Sequence, residues 1–152
     1  MSKPSIVSLL AMSAAVLATL PGQAADRSFM GTWTIAASQA APWADAGERP
    51  VASDLRALMG KSVTFSADRI VAPRPLACAK PHYLMKSYPP DMLFQGTLKD
   101  PPRDAGALGF AGERIPTLET GCEGALDFHF VGRDKAMFGL NNRVYVLTRP
   151  TR

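Results

Sequence analysis

Prolines set the first limit on what this chain can become. Nine of them fall between residues 42 and 102: Pro42, Pro50, Pro73, Pro75, Pro81, the pair Pro89-Pro90 and the pair Pro101-Pro102. A proline has no backbone N–H to give a central strand, and its ring breaks a helix interior. The middle of the chain is therefore restricted to short elements joined by turns. Between the prolines, apolar and polar residues alternate with the two-residue period of half-buried strands. Many short antiparallel strands are the expected outcome.

A first strand is predicted over residues 29–36, with Trp33 and Ile35 on one face and Thr32 and Thr34 on the other. A loop over 40–50 carries Trp43. Ser53 is suited to N-cap a short helix over 54–59 that Gly60 ends. Its Leu55, Leu58 and Met59 form one apolar stripe, as for a helix lying across a sheet or a barrel mouth. Further strands are expected at 62–66, 69–72, 82–86, 92–98 and 115–120, and one helical turn at 104–108 closed by Gly109.

The C-terminal third predicts a three-strand meander over 125–131, 135–140 and 143–148. Asn141-Asn142 is a two-residue loop able to take the positive φ of a type I′ turn. That loop sets Phe138 opposite Tyr145 and Ala136 opposite Leu147. A loop at Gly132-Arg133-Asp134 sets Phe130 opposite Ala136 and Phe128 opposite Phe138. One face is then a core face, while the other carries Asp127, His129, Met137, Gly139, Val144 and Val146.

The N-terminus reads as an address. Lys3, an apolar run from Ile6 to Leu20, the break at Pro21-Gly22 and small residues at Gly22 and Ala24 predict a signal peptide over 1–24, cut between Ala24 and Ala25. The run is too short for a membrane anchor. One exported domain over 25–152, periplasmic or secreted and monomeric, is expected. Without Lys3 the 17 basic residues fall to 16, against 13 acidic ones. That surplus is too small and dispersed to argue for nucleic acid. Cys78 and Cys122 are the only cysteines. An even pair in an exported chain predicts a disulfide.

Motifs for catalysis are few. Asp127 and His129 lie on one side of a strand, half of a nucleophilic triad, but i,i+2 neighbours point in parallel and no Gly-x-Ser-x-Gly elbow accompanies them. The simpler reading puts them on a solvated face. His82, His129, Met85 and Met92 suggest a soft-metal site only loosely, without a clustered spacing. No acid pair stands out for glycoside hydrolysis, and no cofactor is expected. Between Arg69 and Lys86 lie the cations Arg74 and Lys80 and no acid, with Tyr83 and Tyr88 beside them. Arg74, Lys80, Tyr83, Lys86 and Tyr88 are therefore candidates for gripping an acidic partner.

Gly31-x-Trp33 opening the first strand of a short-stranded, exported, disulfide-tied chain resembles the calycin group of lipocalins, avidins and similar up-and-down barrels. The resemblance extends to small periplasmic inhibitors of lysozyme and of secreted proteases. It implies that Trp33 plugs one end of a barrel and that an Arg near the end of the last strand, Arg149, packs over it.

The expected fold is an all-β, lipocalin-like, antiparallel up-and-down barrel with one short helix and one disulfide. The expected function is that of a periplasmic non-enzymatic binding protein for a small apolar ligand. The alternative is an inhibitor of an exported hydrolase, a lysozyme or secreted protease, acting through Pro-rich loops at 72–81 and 89–91.

Overall fold

Nine strands form one antiparallel sheet in a computed structural model that describes residues 26–124 and 126–150. The signal peptide predicted over 1–24 and its predicted cut lie outside the described residues. The strands are β1 (Gly31–Ala40), β2 (Ser62–Phe65), β3 (Arg69–Val71), β4 (Cys78–Ala79), β5 (Leu84–Tyr88), β6 (Ile115–Glu119), β7 (Phe128–Phe130), β8 (Lys135–Leu140) and β9 (Arg143–Thr148). Their order across the sheet is β4-β3-β2-β1-β9-β8-β7-β6-β5. Each strand thus pairs with its chain neighbour except across β4 and β5, and β9 returns to β1.

The sheet curls because β1 bends. Its first half pairs with β2 and its second with β9, and the register slips between Ile35 and Ala37. An extra residue on one strand bends it and increases its twist. The curl brings Phe65 of β2 edge-on to Phe128 of β7, their ring centres 5.1 Å apart. Trp33, Ile35, Val63, Phe65, Leu118, Phe128, Phe138, Tyr145 and Leu147 fill the concave side, all buried. This is a curled, barrel-like sheet with a packed interior.

Both ends of that interior are plugged. At one end Trp33 donates its indole N–H to the Phe29 carbonyl at 2.8 Å, and Phe29 is buried against Phe65 and Tyr83. At the other, the helix α1 (Ala52–Leu58) inserts Leu58, with Leu55 and Met59 beside it. The predicted apolar stripe does pack on the concave core of the sheet. Ser53 is not its cap: the helix starts two residues earlier, with Val51 at the N-cap and no side-chain cap bond.

The meander registers are those expected, with Phe138 opposite Tyr145, Ala136 opposite Leu147 and Phe130 opposite Ala136. Phe138 and Tyr145 stack with ring centres 5.1 Å apart. Only Asn141 of the two-residue turn has positive φ, so the turn is not type I′.

Residues 92–98 are not a strand. Pro90–Gly96 is a 3₁₀ segment that ends in three consecutive left-handed residues, Phe94, Gln95 and Gly96. The second helix, α2 (Pro101–Ala107), begins at the proline pair read as a turn. Proline is favoured in a first helical turn, where its missing N–H has no partner to lose. The 3₁₀ segment, α2 and Trp43 together cover the convex side of β6 to β9. Leu93, Phe94, Leu98, Leu108 and Phe110 pack there on Ile115, Met137 and Val144. The face carrying His129 is therefore the floor of a second core, not a wet surface.

Candidate interaction surface

His129 shows most plainly what that second layer does. Its Nε2 accepts the Phe94 backbone N–H at 2.9 Å, and its Nδ1 lies 2.9 Å from the Thr117 hydroxyl. Because an amide can only donate, Nε2 is the bare nitrogen and Nδ1 carries the hydrogen. Thr117 accepts from it and turns its own O–H to the Ile115 carbonyl at 3.3 Å. Burial holds the imidazole down at about 3. It is a neutral strut that fixes the left-handed Phe94 turn, with neither nitrogen free for a metal or a substrate.

Asp127 is not the partner of His129. Burial raises its carboxyl, and the charge of Glu119 raises it further, while the Gln95 amide and Lys86 act the other way. Among the described residues no three of His, Cys, Asp and Glu gather as metal ligands.

The five cation and tyrosine candidates do not form one rim. Tyr83 is structural: its hydroxyl donates toward the Ser66 and Arg69 carbonyls at 2.9 and 3.3 Å, and burial pushes its phenol up to about 12. Lys86 and Tyr88 sit on the outer face of β5 and both engage Glu119, Lys86 at 2.9 Å. The Tyr88 hydrogen bond and then Lys86 hold the Glu119 carboxyl below its ordinary range. Arg74 and Lys80 are different. They stand exposed around a concavity of about 690 Å³ on β3 and β4, whose floor includes the exposed Val71. Arg69 lines the same hollow but pairs with its neighbour Asp68 at 2.7 Å. Among the described residues Arg74 and Lys80 make no ion pair.

The loop that carries Arg74 is anchored just beyond it. Leu76 is buried in the main core, and its N–H donates to the Pro73 carbonyl at 2.9 Å. Two residues on, Cys78 is bonded to Cys122. Arg74 and Pro75 are exposed between Pro73 and those anchors. The sequence pointed to Cys78 as a tether of this loop, but not to Leu76, and nothing there distinguished this cation pair from Lys86.

At the Trp33 end of the curled sheet, the Arg149 guanidinium lies 4.3 Å from the centre of the Trp33 ring. It also donates to the Asp134 carboxylate at 3.2 Å and to the carbonyls of Met30 and Arg133 at 3.3 and 2.7 Å.

No protein-family model, curated protein or solved structure matches this chain. No helix among the described residues is long and apolar enough to cross a membrane.

Proposed function

We propose that this chain is an exported, non-enzymatic binding protein that meets its partner through the β3–β4 surface and the Pro73–Ala77 loop, not through its interior. The sheet acts as a lipocalin-type barrel whose one unpaired junction is held by the disulfide. One observation carries the reading: the concave side is occupied by side chains, while the exposed Arg74 and Lys80 flank an open hollow. An apolar ligand needs a concave, mostly apolar pocket of several hundred Å³. Among the described residues, none of the larger hollows is lined by the interior residues Ile35, Val63, Phe138 and Leu147, and the hollow that reaches Ile70, Leu76 and Phe128 beside the disulfide has room for only about 10 Å³.

The partner is a protein with an acidic surface or cleft, and an exported hydrolase is the class that fits best. A loop fixed by Leu76 and Cys78 loses little conformational freedom when it docks, as an inhibitory loop requires. Two free cations beside it favour a negatively charged rim and raise the association rate at low salt.

The test is inhibition of purified lysozymes and secreted proteases by the full chain, alongside Arg74→Glu/Lys80→Glu. The expected result is inhibition of one hydrolase class, weakened about tenfold or more by the charge reversal. If no hydrolase is bound or inhibited, the inhibitor reading fails. If one is inhibited equally by the reversed variant, the surface assignment fails.

A further inference from the structure

Beside the Trp33 plug, two hollows of about 480 and 320 Å³ share Ser28 and Arg133 as a common wall. The larger is cationic: Arg27, Arg133 and Arg149 line it. The smaller is largely apolar, with Met85, Pro116 and Phe130 among its lining residues. Two carboxylates lie in the region, and both are engaged. Asp134 pairs with Arg149, and Asp26 accepts the Ser28 N–H at 2.9 Å. Arg27 and Arg133 are exposed and make no ion pair among the described residues, and three guanidiniums against the two charged carboxylates leave the site one positive charge in surplus.

Arg149 cannot swing away, because the Trp33 ring and three oxygen acceptors fix its plane. Fixed there and paired with Asp134, it walls the hollow and leaves Arg27 and Arg133 as the cations open to an oxyanion. The apolar hollow beyond Arg133 meets the hydrocarbon part of a ligand, whose burial there supplies the affinity that a screened surface charge lacks.

We infer that this end of the molecule binds a small amphiphilic anion, a carboxylate or phosphate monoester. Its oxyanion lies between Arg27 and Arg133, and its apolar body rests on Met85 and Phe130. The site lies outside the filled barrel and shares no residue with the β3–β4 surface.

The inference is tested by following backbone amide resonances of the full chain during titration with octanoate, octyl phosphate and the neutral octanamide. Both anions should shift the resonances of Arg27, Phe130 and Arg133 and bind about tenfold or more tightly than octanamide. Arg27→Gln/Arg133→Gln should bring them to the level of octanamide, with the rest of the spectrum unchanged. Arg133→Gln alone should give part of that loss. The inference is overturned if octanamide binds equally well, if no anion binds at millimolar concentration, or if the shifts fall on residues 69–80. Arg74→Glu/Lys80→Glu should leave the titration unchanged, so failure here is distinct from failure of the docking surface.

Discussion

Cys78 on end strand β4 is bonded to Cys122, which follows β6, the strand next to the opposite end of the sheet. Their Cα atoms lie 6.1 Å apart, and the link crosses the junction between β4 and β5, the chain neighbours that the ladder leaves unpaired. The 44-residue separation closes a loop containing the 3₁₀ segment, α2 and two strands.

Reduction, or Cys78→Ser with Cys122→Ser, is expected to lower stability by about 2–4 kcal/mol, since a crosslink of this span restricts the unfolded chain. Amide exchange should quicken most in β3 and β4, which have only each other and β2 as partners. Thermal melts with and without reductant check the first point. An unchanged melting temperature would show that packing alone holds the junction.

Gly139 predicts a steric penalty. A Cβ there would stand 2.9 Å from Trp43 Cη2 and 3.1 Å from Phe94 Cδ1. Gly139→Ala should cost about 1–3 kcal/mol, because the rings against it belong to a packed layer that must shift. Urea unfolding measures this, and a neutral effect would mean that Trp43 moves freely.

His129 makes stability depend on pH with a definite sign. Its folded value of about 3 lies below the ordinary 6.5, so the unfolded chain takes up the proton first as pH falls. Stability is fully present above 6.5 and declines as pH drops toward 3. Between pH 7 and 5 the loss from this group should be about 2 kcal/mol, at roughly 1.4 kcal/mol per pH unit. Chemical unfolding of the wild type and of His129→Gln at both pH values isolates it. An equal pH dependence in the variant would remove His129 as the cause.

The packed face of the meander was legible because Phe128, Phe130, Phe138, Tyr145 and Leu147 alternate with the period of a strand. Its reverse face was misread at His129. A histidine beside Asp127 on a face with Met137, Val144 and Val146 gives no hint of a backbone donor arriving from 35 residues away. Leu93 and Phe94 misled in another way: adjacent apolar residues read as a buried strand, yet both are buried because the turn folds back on itself. Strand β4 has two residues, too few for any periodicity to register. For the site, the sequence held the cations but not their pairing. Glu119, which engages Lys86 and Tyr88, arrives from a strand 31 residues beyond Tyr88.

Arg149→Lys should keep the charge at the plugged end but lose the planar contact with Trp33 and the forked hydrogen bonds. A loss of about 1–2 kcal/mol is expected. Thermal unfolding reports it, and a lysine variant as stable as wild type would reduce the Arg149 contribution to charge alone.

Recognition as proposed takes place outside the packed interior of the curled sheet, at Arg74, Lys80 and the Pro73–Ala77 loop. Hydrogen–deuterium exchange of the full chain, free and in the presence of any hydrolase that the inhibition assay identifies, tests this most directly. The account predicts new protection over residues 69–80 and none in the interior-facing strands β8 and β9. Protection confined to β8 and β9, or to the second layer over residues 90–110, would contradict it.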